Sequence, residues 1–291
     1  MLKRTTFAVL ACLGASYVIA APQPQAFDFA GGKLIPMMGV AFRQDSNIFR
    51  QSANEESDTI TEFKPVVQLL GEKDANRYAL TYTGDYAKYW DSSRDDYADH
   101  TISADVLLSP NNYYSVDFGA SLGKLHENRG EGSSEGINAI QRPEPDEYDL
   151  NNINVVFDFG RDSARMGVEL EAARSDIEYT NNRSETQFRD RDETNFGGRV
   201  YVRTSGKTRV FVGAARKDFE YDVNPLFGGT LDSEQQRWYV GARWEVTGKT
   251  SGEVRIGSVD KDFDEVTRTD SDLGFWNAAV TWSPRTYSQM P

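Results

Sequence analysis

The sequence predicts an all-β fold, an up-and-down antiparallel transmembrane β-barrel of about twelve strands. Three observations predict it. Stretches of ten to thirteen residues alternate apolar with polar side chains, the period of a strand with one dry and one wet face. Their connections alternate between short turns and long charged loops. The chain also opens with an export leader. A strand of ~11 residues at ~3.3 Å per residue, tilted ~40°, rises about 28 Å, enough to cover a ~25 Å apolar band. A soluble sandwich, jelly roll or β-helix would use shorter strands of ~5–6 residues.

Residues 1–20 are expected to form the leader. Met1-Leu2-Lys3-Arg4 is a positive n-region, Phe7–Ile19 has the length of an h-region, and Val18-Ile19-Ala20 offers a cleavage site. The chain has 45 acidic and 32 basic side chains and a net charge of −13. Loss of Lys3 and Arg4 with the leader takes this to about −15. The single cysteine, Cys12, lies in the leader, so a mature chain would have no disulfide and no thiolate metal site. Mean hydropathy is −0.60, and beyond the leader no apolar run approaches the ~20 residues of a spanning helix. The acidic balance argues against nucleic acid, whose phosphates select Lys and Arg.

Residues 21–32 read as an N-terminal segment on the periplasmic side, and 33–291 as the barrel. Leu34–Phe42, the first strand, is apolar on both faces. Gln44–Asp58 is the first long loop, which sets short turns on the periplasmic side and long loops outside. Gly71–Asn76 is a short turn, after which Tyr78, Leu80, Tyr82 and Tyr86 alternate with Ala79, Thr81, Thr83 and Asp85. Asp91–Ala98 is a loop and Ser109–Asn112 a turn. Tyr114, Val116, Phe118 and Leu122 then alternate with Ser115, Asp117, Gly119 and Ser121. His126–Tyr148 is the longest loop. Past the turn at Gly160–Ser163, Met166, Val168 and Leu170 oppose Gly167, Glu169 and Glu171. Asp176–Glu193 is a loop and Ser205–Thr208 a turn. Thr208–Phe219 mixes both faces, and Asp218–Gln235 is a loop. Trp238, Val240, Ala242 and Trp244 oppose Tyr239, Gly241, Arg243 and Glu245. Thr247–Gly252 and Ser283–Thr286 are turns around the loop Asp260–Asp272. After Ser283 the chain either ends a closed twelve-stranded barrel with a short tail or begins, at Tyr287, a further strand of a longer barrel.

With Tyr, Val, Leu and Trp against lipid, the alternate residues line the lumen. The third to seventh strands would supply Asp85, Asp105, Asp117, Asp158, Glu169 and Glu171. The eighth, tenth and eleventh would supply Arg199, Arg203, Arg243 and Arg255, with Glu245 the exception. Neighbours in sequence are neighbours in such a barrel, so an acidic wall would face a basic one. That arrangement suits selection among polar solutes; its bland counterpart is a set of ion pairs that plug the lumen. Tyr86, Tyr89, Trp90, Tyr97, Tyr113, Tyr114, Tyr179, Trp276 and Trp282 read as interfacial girdles. Tyr89, Trp90 and Tyr97, beside Asp95, Asp96 and Asp99, would alternatively form a saccharide contact. Two histidines, His100 and His126, follow the leader. Asp95, Asp96, Asp99 and His100 are the one constellation open to a rim hydrolase, at unspecific spacing. No catalytic residue, metal ligand or cofactor is expected.

Val40-Ala41-Phe42-Arg43-Gln44-Asp45-Ser46-Asn47-Ile48-Phe49-Arg50 resembles the opening of the outer-membrane β-barrel porin family associated with exopolysaccharide loci. Tyr82-Thr83-Gly84-Asp85-Tyr86 with Asp96-Tyr97-Ala98-Asp99-His100 is similar to that family's next block. The resemblance implies location in the bacterial outer membrane, in contact with its lipid, and a link to capsule or exopolysaccharide export; the acidic loops are expected to meet lipopolysaccharide through bridging divalent cations. It implies no catalytic residues. The expected function is passive passage of polar solutes, or a role in exopolysaccharide secretion. The alternative is a plugged structural barrel that contacts polysaccharide or envelope partners through its long acidic loops. The oligomeric state is left open.

Overall fold

A computed structural model describes residues 25–130, 138–139, 142–160, 164–225, 229–247 and 250–282. The expected leader, the turn at Ser283–Thr286 and the tail beyond it lie outside these residues. The described residues form one antiparallel sheet in strict sequence order, β1 to β13. A short β1 (Phe27–Phe29) precedes β2 (Gly32–Asp45), β3 (Asp58–Lys73), β4 (Asn76–Tyr89), β5 (Tyr97–Leu108), β6 (Tyr114–His126) and β7 (Glu147–Phe159). Then follow β8 (Met166–Tyr179), β9 (Arg191–Ser205), β10 (Thr208–Tyr221), β11 (Ser233–Thr247), β12 (Thr250–Phe263) and β13 (Ser271–Trp282).

The long strands run 12 to 16 residues, longer than the alternation suggests. The ladder continues into segments expected as loops: Asp176 pairs with Asp192 and Ile177 with Arg191. Backbone hydrogen bonding does not depend on side-chain polarity, and the like charges are neutralised locally. Arg174 lies 2.7 Å from Asp192, and Asn151 donates to Asp176 at 3.0 Å. The N-terminal segment also differs from expectation. Ala30 and Gly31, both at positive φ (50° and 80°), turn β1 back onto β2 in a two-residue hairpin, with Phe27 opposite Leu34.

The sheet curls. Arg199 on β9 reaches Glu253 on β12 at 3.6 Å. In a flat sheet those strands would stand about 14 Å apart, at ~4.8 Å per strand. The inner face is therefore concave and holds the charged alternates. The outer face carries Leu80, Leu122, Leu170, Val212, Val240 and Ile256, each 49–62% exposed. Soluble surfaces rarely show so continuous an apolar band, and hydrocarbon is its natural solvent. Among the described residues no ladder links β13 to β1 or β2. Near its start, the free edge of β2 is taken by β1.

The buried core lies at the loop end, under the mouth. Ile48 and Phe49 from the β2–β3 loop pack on Ile60, Ala87 and Tyr89, which project inward from β3 and β4. Ala139 of the β6–β7 loop closes the cluster and Tyr97 borders it.

Candidate functional site: a charged lumen and its mouth

Alternation along β4–β8 and β9–β12 puts all ten expected lumen residues on the concave face. The acidic arc is unevenly partnered. Asp85 pairs with Lys64 at 3.0 Å. Asp158 accepts the Tyr201 hydroxyl at 3.0 Å, and Glu171 accepts Asn195 Nδ2 at 3.4 Å. Asp105 and Asp117 stand on adjacent strands one ladder step apart. The arcs also abut, since Glu169 and Arg199 on the neighbouring strands β8 and β9 pair at 2.8 Å.

The basic arc closes on a residue that sequence reasoning missed. Glu253, only 8% exposed, lies 2.5 Å from Arg243 Nε, 2.7 Å from Arg255 Nε and 3.6 Å from Arg199 Nη1. Three guanidiniums thus share one carboxylate. Arg203 stays near the turn end, where its Nε donates to Ala164 O at 3.3 Å. Glu245 lies within the register shift of the β11–β12 ladder, between Trp244 and Thr247. Lys217, Arg237 and Lys261 also face inward without appearing among the expected lumen residues: Lys217 lies in the mixed stretch Thr208–Phe219, Lys261 in a segment expected as a loop, and Arg237 one residue before the alternation that opens at Trp238. Their parity with Tyr239 and Arg255 in the ladder is the signal that finds them. A polar cavity of about 540 Å³ lies against this arc, lined by Arg199, Lys217, Arg237, Arg243 and Arg255 with Glu169, Glu171 and Glu193 among its acids.

Loops fold over the opposite side of the mouth. Phe49, with 0% exposure, has the guanidiniums of Arg94 and Arg129 at 5.4 and 5.6 Å from its ring centre. Asp95, at 1% exposure, takes Arg129 Nε at 2.7 Å, tying the β4–β5 loop to the β6–β7 loop. Burial pushes the Arg129 pKa down, and Asp95 offsets part of that. Arg142 pairs with the fully buried Asp146 and reaches Glu185 of the β8–β9 loop at 2.9 Å. Arg189 of that loop pairs with Glu127. Burial raises the Glu127 pKa, but hydrogen bonds from Arg189 and Tyr179 outweigh it and hold the carboxyl below its ordinary value.

The two sets of rim residues do not assemble as the sequence suggested. Tyr89 is 8% exposed and faces the mouth core, and Tyr97 stacks on His126 with ring centres 3.7 Å apart. Trp90 is 66% exposed, with its Nε1 donating to Thr61 at 3.0 Å. The three rings form no common platform. Tyr89, Tyr97 and Tyr179 share the inner parity, so they are mouth residues and not girdle; the last is 4% exposed. Trp276 lies within β13 and not at its end. Asp95 is sequestered by Arg129, Asp96 caps the Tyr89 amide at 2.7 Å, and Asp99 contacts His126 at 2.9 Å. His100 is on the outer face, where its Nδ1 meets the hydroxyls of Tyr82 and Tyr86 at 2.9 and 3.4 Å.

A family model described as "Putative beta-barrel porin 2" matches residues 32–290. Comparison with curated proteins finds no match. Among solved structures, the chain is similar to OmpTdeltaL8, a loop L8 deletion mutant of OmpT, an outer membrane protein of Vibrio cholerae. The TM-score is 0.51 at 12% identity, covering 88% of this chain and 78% of that one. At that identity the likeness speaks to fold alone.

Proposed function

The chain belongs to the family described as "Putative beta-barrel porin 2" and resides in the bacterial outer membrane in contact with its lipid; from that premise we propose that it is a non-enzymatic conduit for passive passage of polar solutes. The observation that carries this reading is the concave face: it carries acids along β4–β8, and Glu169 and Glu171 of β8 face the cations of β9–β12 across a polar cavity of about 540 Å³. Charges placed across a path in this way orient dipolar solutes and discriminate ions. The non-enzymatic reading is supported by His100 and Asp99 lying on opposite faces of β5, so the rim constellation does not assemble as one acid–imidazole group. A role in exopolysaccharide secretion, and contact with lipopolysaccharide through the charged rim, are the finer form of the reading.

Planar-bilayer recording of the refolded protein tests it. Defined conductance steps are expected, and silence in the bilayer overturns the reading. Asp105→Asn with Asp117→Asn, which removes two charges from the acidic arc, is expected to move the reversal potential in a KCl gradient toward anions. An unmoved potential removes the claim that the arcs set selectivity.

A second reading is favoured by the mouth itself, where Phe49, Asp95 and Arg129 are buried. A plugged barrel would conduct negligibly and would act through its loops on polysaccharide or an envelope partner. It predicts polysaccharide retention that is lost on deletion of residues 127–147.

A further inference from the structure

The basic arc is more regular than a set of ion pairs requires. Pairing across β9–β12 defines five successive inner levels, and each carries a cation. Arg203, Arg209 and Arg243 share the first level, nearest the turns. Arg255, Arg199 and Arg237 occupy the second, third and fourth, and Lys217 and Lys261 share the fifth. Levels on one face repeat every ~6.7 Å, so the ladder extends ~27 Å along the strands.

Inner-face rings stand within reach of several of these cations. Arg237 lies 5.6 Å from the centre of Phe275, Arg255 5.8 Å from Tyr239, and Arg199 5.1 Å from Phe211. Lys261 lies 4.8 Å from both Phe219 and Phe263. Contacts within ~6 Å restrain a long side chain through its ring face and leave the N–H edges of a guanidinium open to an anion. Several of the cations are neutralised: Arg199 by Glu169, Lys217 by Glu193, and Arg243 and Arg255 by Glu253. Arg237 and Lys261 have no carboxylate partner among the described residues.

We propose that the β9–β12 wall is a binding track for an elongated solute carrying carboxylates along its length. The guanidinium forks match planar carboxylates, and Asn195, Gln235 and the Tyr239 hydroxyl stand between the cations as neutral hydrogen-bonding groups. A solute long enough to meet Arg237 and Lys261 together, on the fourth and fifth levels, gains from multivalency what a single carboxylate cannot. The proposal deepens the conduit reading and names the solute that the conduit favours.

Calorimetric titration of the detergent-folded protein tests binding apart from conduction. Pentagalacturonate is the probe, with maltopentaose as its neutral counterpart and galacturonate as the single-carboxylate control. The pentamer is expected to bind at least ~10-fold more tightly than either, with affinity falling as salt rises. Arg237→Gln with Lys261→Gln is expected to weaken it ~10-fold, while Arg237→Lys with Lys261→Arg keeps it within about twofold. Phe275→Leu, which changes no charge, is expected to weaken it about threefold by freeing Arg237. Equal affinity for maltopentaose, or indifference to the double Gln variant, overturns the track. The same preparation in a KCl-bathed bilayer separates the two ideas. Conductance without pentamer preference sinks the track alone, and binding without conductance sinks the conduit alone.

Discussion

Two side chains concentrate the energetics at the residue scale. Phe49 has no exposed surface, although it comes from a loop, and it sits in a buried apolar cluster with two guanidiniums near its ring. Phe49→Ala is expected to cost about 3–5 kcal/mol of mouth stability. Limited proteolysis reads it as faster cleavage within residues 46–57 while the strands stay intact; unchanged cleavage would mean that the ring does not hold the loop. Glu253 is the second. It is the shared partner of Arg199, Arg243 and Arg255, and its removal leaves three guanidiniums crowded on one wall. Glu253→Gln is expected to destabilise the folded protein by about 1–3 kcal/mol, because Arg243 and Arg255 stay partly open to the lumen and Arg199 alone is buried with it. The same variant should shift the reversal potential toward anions. Urea unfolding in detergent and bilayer recording check the two effects separately.

The loops behave as one unit at the scale of elements, because Glu127, Asp146, Arg142 and Arg189 link the β6–β7 loop to the β8–β9 loop. Glu127 is held below its ordinary carboxyl value, so it binds protons less readily folded than unfolded. Its contribution is complete above the ordinary carboxylate range and is lost as pH falls through the depressed folded value. Cleavage of residues 142–146 by an acid-stable protease should therefore accelerate as pH is lowered below that range, and Glu127→Gln should abolish the dependence. How much of this was legible in sequence follows from what each signal measures. Alternation in Trp238–Trp244 and Met166–Leu170 reports a wall between lipid and water, so strand identity, order and facing were readable there. It fades above the band, where both faces are wet, and β8 and β9 therefore ran on through Asp176 and Asp192 unseen. Parity would have turned Tyr89 and Tyr179 inward with Asp85 and Glu169, had position near a strand end not outweighed it. The folding of the β2–β3 and β6–β7 loops into the mouth was unreadable, because the cluster that holds Phe49 and Ala139 joins segments with no common period.

At the scale of the whole molecule, the outer face decides where the protein can exist. Its apolar rows stop on the strands from β7 to β12 at an outward polar residue, Asn151, Arg174, Thr194, Arg216, Gln236 and Ser258 in turn, and an acid follows one level further out on each, so the band has a sharp upper border. Trp244 and Trp282 mark the other border, near the turns. Within hydrocarbon, backbone groups must be satisfied by neighbouring strands, which the continuous ladder from β2 to β13 does for every interior strand. The two faces should therefore respond oppositely to one added charge. Val212, 54% exposed on the outer face of β10, faces lipid near the middle of the band. Val212→Arg is expected to cost about 2–4 kcal/mol in lipid vesicles, the penalty for a cation at the midplane. Asn195→Lys on the inner face of β9, beside the cavity, is expected to stay within about 1 kcal/mol. Equilibrium urea unfolding in vesicles measures both. Equal costs would mean that the apolar face does not meet hydrocarbon, and the assignment of every inner residue to a lumen would fall with it.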